Sequence, residues 1–185
     1  MVNLESTTES QQPTEKDLET IAAQLGRNPR DVAAVAHRCP CGQADVVSTP
    51  PRLADGTPFP TFYYATCPRL TGAISTLESS GLMNEMSQRL QSDPKLAGEY
   101  AAAHVDYEAA RNGLAAVLNL DVPEISGITA GGMPDRVKCL HSLVAHSLAA
   151  GTGVNPLGDE ALTALDPWWI SKPCSVIENL INEER

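Results

Sequence analysis

Basic residues are scarce in this 185-residue chain: 13 Lys and Arg stand against 23 Asp and Glu, for a formal net charge of −10. With no local basic patch to offset it, that balance argues against nucleic acid as a partner, because phosphate binding needs clustered cations. Long apolar runs are missing too. The longest fall far short of the ~20 residues that a bilayer-spanning helix needs, so no membrane span is expected. The stretch from Met1 to Lys16 contains no apolar segment of the kind that marks secretion, which makes the cytoplasm the expected compartment. There is no Gly-x-Ser-x-Gly elbow and no internal repeat. The glycine turn at Gly131-Gly132-Met133-Pro134-Asp135 lacks the lysine and hydroxyl of a phosphate-binding loop.

What is present is a globular composition, with 42% hydrophobic residues, enough for one packed core. Residues 1–13 are polar and acidic and are expected to form a disordered tail. Residues 14–185 are expected to form a single α+β domain, a small antiparallel sheet packed against four to five helices. Thr14 and Asp17 have capping-box spacing and open a helix that Gly26 closes near Leu25. Short apolar runs at Val32–Ala36, Val46–Ser48 and Phe62–Ala65 read as strands, separated by the turn signals Cys39-Pro40-Cys41-Gly42 and residues 50–60. Helical periodicity then runs from Pro68 to Gly81, from Leu82 to Leu90 and from Pro94 to about Asn112. A loop is expected over Val117–Gly132, then a helix over Asp135–Ala149 capped by Gly151. A short helix from Asp159 to Leu165 and a last amphipathic turn at Val176–Ile181 complete the chain.

The chemistry sits in five cysteines and their histidine neighbours. An odd number of cysteines in a reducing compartment does not read as a disulfide framework. Thiolates and imidazoles are strong metal ligands and nucleophiles. On a regular helix Cys139 and His146, seven apart, share a face, whereas His141 joins only from a distorted first turn. Cys39 and Cys41 are one residue closer than the usual zinc knuckle, so one is expected to ligate and the other to pack. Cys67 precedes a helix whose amino-terminal amides favour a thiolate. The expected set is Cys39, Cys67 and Cys139 with one of His141, His146 or Cys174. Zinc suits a mixed set with histidines near; an all-thiolate set would equally suit an iron–sulfur cluster. The plainer reading is that each cysteine, and His146 with them, simply packs in the core. Arg52, Arg69 and Arg136 flank turns and would bind an anion if they converged. Glu78 and Asp106 are acid/base candidates, or merely the solvated faces of helices.

Five strings together resemble a bacterial family known as domain of unknown function 501: His37 to Gly42, Gly56 to Leu70, Leu77 to Met83, Gly131 to His141 and Gly153 to Gly158. The resemblance covers about Leu25 to Cys174. Its members are often encoded beside a septum-formation initiator protein and an exopolyphosphatase. It therefore implies a link to cell division or envelope growth and a septum-formation protein as partner, but neither an activity nor a fold. The expected function is a cytoplasmic metal-binding interaction protein, with Phe59, Phe62 or the Trp168-Trp169 pair as an apolar anchor where exposed, or the tryptophans as a lid on the core. The alternative is a thiol- or metal-dependent enzyme, with Cys67 or Cys139 as nucleophile, His141 or His146 as base and an anionic substrate.

Overall fold

The structure, a computed structural model, describes residues 11–170 and Cys174. Residues 1–10, which make up most of the expected tail, and the expected turn at Val176–Ile181 lie outside the described residues. Pairing already begins at Gln11, whose backbone exchanges two hydrogen bonds with Val35 at 2.9 and 2.8 Å.

Among the described residues there are three strands and six α-helices, one helix more than the four to five expected. The first helix, α1 (Glu15–Leu25), has the full reciprocal capping box: Thr14 Oγ1 accepts from the Asp17 N–H, and Asp17 accepts from the Thr14 N–H. Gly26, in the left-handed region at φ 64°, closes it. The strands β1 (Ala34–Arg38), β2 (Ala44–Ser48) and β3 (Tyr63–Ala65) form an antiparallel sheet with β2 in the middle. Every residue of β2 is buried, as befits a strand covered on both faces. Ile21 of α1 joins Val35, Ala44 and Val47 in a small cluster on one face. The main core, including Ala36, Val46, Tyr63 and Ala65, lies on the other.

That main core is built by the helices α2 (Pro68–Glu78), α3 (Leu82–Ser92), α4 (Pro94–Val117), α5 (Leu140–Ala150) and α6 (Pro156–Thr163). The central one is α5, which packs on all three strands, α2 and α6. At its crossing with α6 only a glycine fits: a Cβ on Gly158 would lie 2.3 Å from the Leu143 carbonyl oxygen.

Three helices differ from the expectation in their boundaries. The sixth begins at Pro156, capped by Asn155, where a turn was expected before Asp159, and ends at Thr163 rather than Leu165. The fourth helix continues five residues past Asn112 to Val117, because Arg111 and Ala115 are buried and hold its last turns to the body. The fifth starts at Leu140 rather than Asp135. Gly131 and Gly132 take left-handed φ values of 73° and 92°, and Cys139 is extended at φ −156°. The segment between them is therefore a loop, although Val137 is buried as its apolar spacing implied.

Candidate functional site

Cys39 and Cys41 lie at the turn joining β1 and β2. The turn is tight: Cys39 N–H donates to the Gln43 carbonyl at 2.9 Å, and Gly42 N–H to the Cys39 carbonyl at 2.7 Å. Cys67 is the N-cap residue of α2, with Pro68 as the first helical residue. These segments meet at Cys174. Its Sγ lies 3.3 Å from that of Cys39. The sulfurs of Cys39, Cys41 and Cys174 all lie within 4.8 Å of one another and could hold a metal ion. Cys67 stands outside that trio, close enough for its thiol and that of Cys174 to perturb each other. Cys39, Cys67 and Cys174 are buried, and Cys41 is open to solvent.

The electrostatics follow from crowding. Contact with Cys174 draws the Cys39 thiol down to about 7, against burial, helped by the Cys41 N–H and thiol. Cys174 likewise lowers Cys67, again against burial, with the Leu70 and Arg69 amides of the first helical turn assisting. Cys174 itself is driven far above the usual thiol range by Cys39 and Cys67, then by burial and Cys41. Thiols this close resist joint ionisation until a cation neutralises them.

A second group forms elsewhere, and it separates residues that the sequence reading had placed in one set. Cys139, His141 and Glu78 each bring one ligand-type atom within 4.8 Å of the others. Glu78 Oε1, from the last residue of α2, accepts the Leu140 N–H at 2.7 Å and faces His141 Nδ1 at 3.2 Å. His141 Nε2 faces the Thr71 carbonyl oxygen at 3.2 Å and Ser75 Oγ at 3.4 Å. The Cys139 thiol is penalised by burial, but His141 and the Ser142 N–H and hydroxyl outweigh this and hold it below its ordinary value. Cys139, and to a lesser extent Glu78, raise His141 to about 9. Both side chains line a cleft of about 510 Å³.

His146 joins neither group. Fully buried, it places Nε2 2.9 Å from Asp106 and Nδ1 3.2 Å from Asn155 Nδ2, and packs against the rings of Tyr63 and Tyr107. Burial lowers its pKa, against Asp106. Because Cys139 caps α5 instead of lying within it, the seven-residue spacing to His146 does not bring the two together. Of the arginines, Arg52 is committed to the carbonyls of Gly56 and Asp121 and to both Glu124 oxygens at 2.9 Å. Arg136 is exposed, while Arg69 stands in the first turn of α2. Phe62 and Trp168 are buried in the main core, and Trp169 packs edge-on against Trp168 at 4.7 Å. The tryptophans therefore cover the core rather than offering an anchor.

No helix of the described residues is long and apolar enough to cross a membrane. The molecule is thus an α+β domain carrying a cysteine group able to hold a metal ion. The family described as "Protein of unknown function (DUF501)" matches residues 35–163, and the chain belongs to it. Comparison with curated proteins and with solved structures returns no match.

Proposed function

We propose that this is a metal-binding interaction protein in which Cys39, Cys41, Cys67 and Cys174 hold one zinc ion. The observation that carries this reading is the convergence of the Cys39 and Cys41 sulfurs, from the β1–β2 turn, on Cys174, with Cys67 at the head of α2 as the fourth ligand. Four thiolates around one zinc at 2.3 Å would sit roughly 3.8 Å apart. The spacing of Cys39, Cys41 and Cys174, within 4.8 Å, supports a single ion over a multi-iron cluster, which spreads its thiolates more widely. The ion would supply charge neutralisation and a cross-link, and its binding energy would add to folding energy. The protein ligands would fill the coordination sphere, as in a structural site rather than a catalytic one.

The acidic surface and the family resemblance support the rest of this reading: a cytoplasmic protein whose partner belongs to septum formation or envelope growth. Metal analysis tests the site. The purified chain is expected to carry one equivalent of zinc, which C39S and C174S hold so weakly that mild chelation strips it. Occupancy at a thousandfold excess over Kd stabilises by about 4 kcal/mol, so chelation should lower Tm by about 8–16 °C in a chain of this size. Unchanged zinc content after mild chelation and unchanged Tm in both variants would contradict the site.

A further inference from the structure

The group formed by Cys139, His141 and Glu78 stands apart from the sulfurs of the proposed zinc site and has its own geometry. We propose that it is a nucleophilic thiol site: Cys139 is the nucleophile, His141 its proton carrier and Glu78 the residue that positions His141, acting on an uncharged ester or thioester bound in the adjoining cleft.

Three observations support this. The first is the grouping: Cys139, His141 and Glu78 bring one atom each within 4.8 Å of the others, and His141 Nδ1 faces Glu78 Oε1 at 3.2 Å. A nucleophile, a base and a group that orients the base is the arrangement by which thiols are activated. Glu78 is itself fixed by the Leu140 N–H at 2.7 Å, so helices α2 and α5 are locked at the point where the histidine is held. The second is the placement of Cys139 as the N-cap residue of α5, beside the amides of its first turn. Unpaired amides there favour the thiolate. The third is the cleft, about 510 Å³ in volume and open to solvent. Its walls include Gln24, Thr61, Tyr63, Tyr64, Thr66 and Thr71, and apart from His141 they carry no charged side chain. Such a wall has no counter-ion for an anionic substrate. It suits a neutral acyl group, for which the half-exposed ring of Tyr64 supplies an apolar contact.

A metal ion is the competing occupant of the same three residues. Both ring nitrogens of His141 already face acceptors, on Glu78 and Thr71, and Glu78 Oε1 already accepts from Leu140. The zinc count of the loaded protein separates the two occupants.

The reaction balances without a further reagent. The Cys139 thiolate attacks the acyl carbon, forming a C–S bond. The ester C–O bond, or thioester C–S bond, breaks, and the leaving group departs with a proton from His141. Neutral His141 then takes a proton from water as the water oxygen attacks the acyl-cysteine carbonyl. The C–S bond breaks, the acid leaves, and the thiolate and imidazolium are restored.

The test uses the full chain, loaded with zinc, and p-nitrophenyl acetate as the probe. The expected result is a stoichiometric burst of p-nitrophenolate with the acetyl group located on Cys139 by peptide mass mapping, at least roughly tenfold faster at pH 7 than the acetylation of free N-acetylcysteine. C139S abolishes the burst without loss of zinc, and H141Q slows it by about a hundredfold. E78Q keeps the acceptor for Leu140; because the Glu78 charge raises both His141 and Cys139, it is expected to move the inflections of the rate–pH profile downward while leaving Tm nearly unchanged. Acetylation of Cys139 no faster than that of free N-acetylcysteine, or a second equivalent of zinc that disappears in C139S, would overturn the proposal. C139A serves as the control if C139S folds poorly.

Discussion

Asp17 receives two charged hydrogen bonds from Arg38, at 2.7 and 2.9 Å, while also completing the cap of α1. Arg38 first, then the Thr14 N–H and hydroxyl, hold its carboxyl below the ordinary value of 3.8, against a burial penalty. A carboxylate favoured in the folded state contributes stability that is complete above its unfolded pKa and drains away as pH falls through the folded one. Folding stability should therefore decline below about pH 4, and D17N should both flatten that limb and cost about 1–2 kcal/mol at pH 7. Denaturant titration of the two proteins from pH 2.5 to 7 checks this; an unchanged acid limb in D17N would refute it. The capping role of Asp17 was legible because it depends on a three-residue spacing. Its pairing with Arg38 was not, since the two lie 21 positions apart. Cys174 shows the same limit: 135 residues separate it from Cys39, and no local pattern sets it apart from a thiol buried for packing. The Cys-Pro contexts at Cys39 and Cys67 marked those residues, but gave no sign that Cys41 would face the same ion.

At the scale of the element, the fifth helix shows what periodicity can and cannot say. The spacing of Val137, Leu140, Val144 and Leu148 correctly marked buried positions, yet the backbone before Leu140 is a loop. Burial follows side-chain pattern, while the start of a helix follows backbone freedom, and here Gly131 and Gly132 are locked in left-handed turns. A Cβ at Gly132 would lie 2.6 Å from the Arg136 carbonyl oxygen. That displaced start converts Cys139 from a helix-face residue into a cap and leaves His141 in the first turn, within reach of it. The strands, by contrast, emerged within a few residues of expectation, because the turn residues between them are unambiguous. The α5–α6 crossing supplies a further prediction. G158A would set a methyl group 2.3 Å from the Leu143 carbonyl oxygen and 2.4 Å from Ser147 Oγ. Backbone cannot yield as a side chain can, so the variant should lose about 3 kcal/mol, seen as a fall in the denaturation midpoint. A loss below about 0.5 kcal/mol would mean that the two helices part easily. G72A, where nothing lies within 4 Å, is the control.

Over the whole molecule, the sheet is enclosed by α1 on one side and the helical body on the other, and the cysteines gather where β-turn, helix head and the region beyond α6 come together. The expectation of one domain with an antiparallel sheet and packed helices rested on composition and on local punctuation, both of which a sequence carries plainly. How five thiols divide into two groups depends on which segments the fold brings side by side. A zinc ion at Cys39, Cys41, Cys67 and Cys174 would join segments far apart in the chain, limiting the freedom of the unfolded state most where the closed loops are longest. X-ray absorption at the zinc edge of the loaded protein tests this most directly. The predicted spectrum is a single shell of four sulfurs at about 2.3 Å that loses one sulfur in C174S. A shell containing nitrogen ligands, or four sulfurs unaltered by C174S, would contradict it.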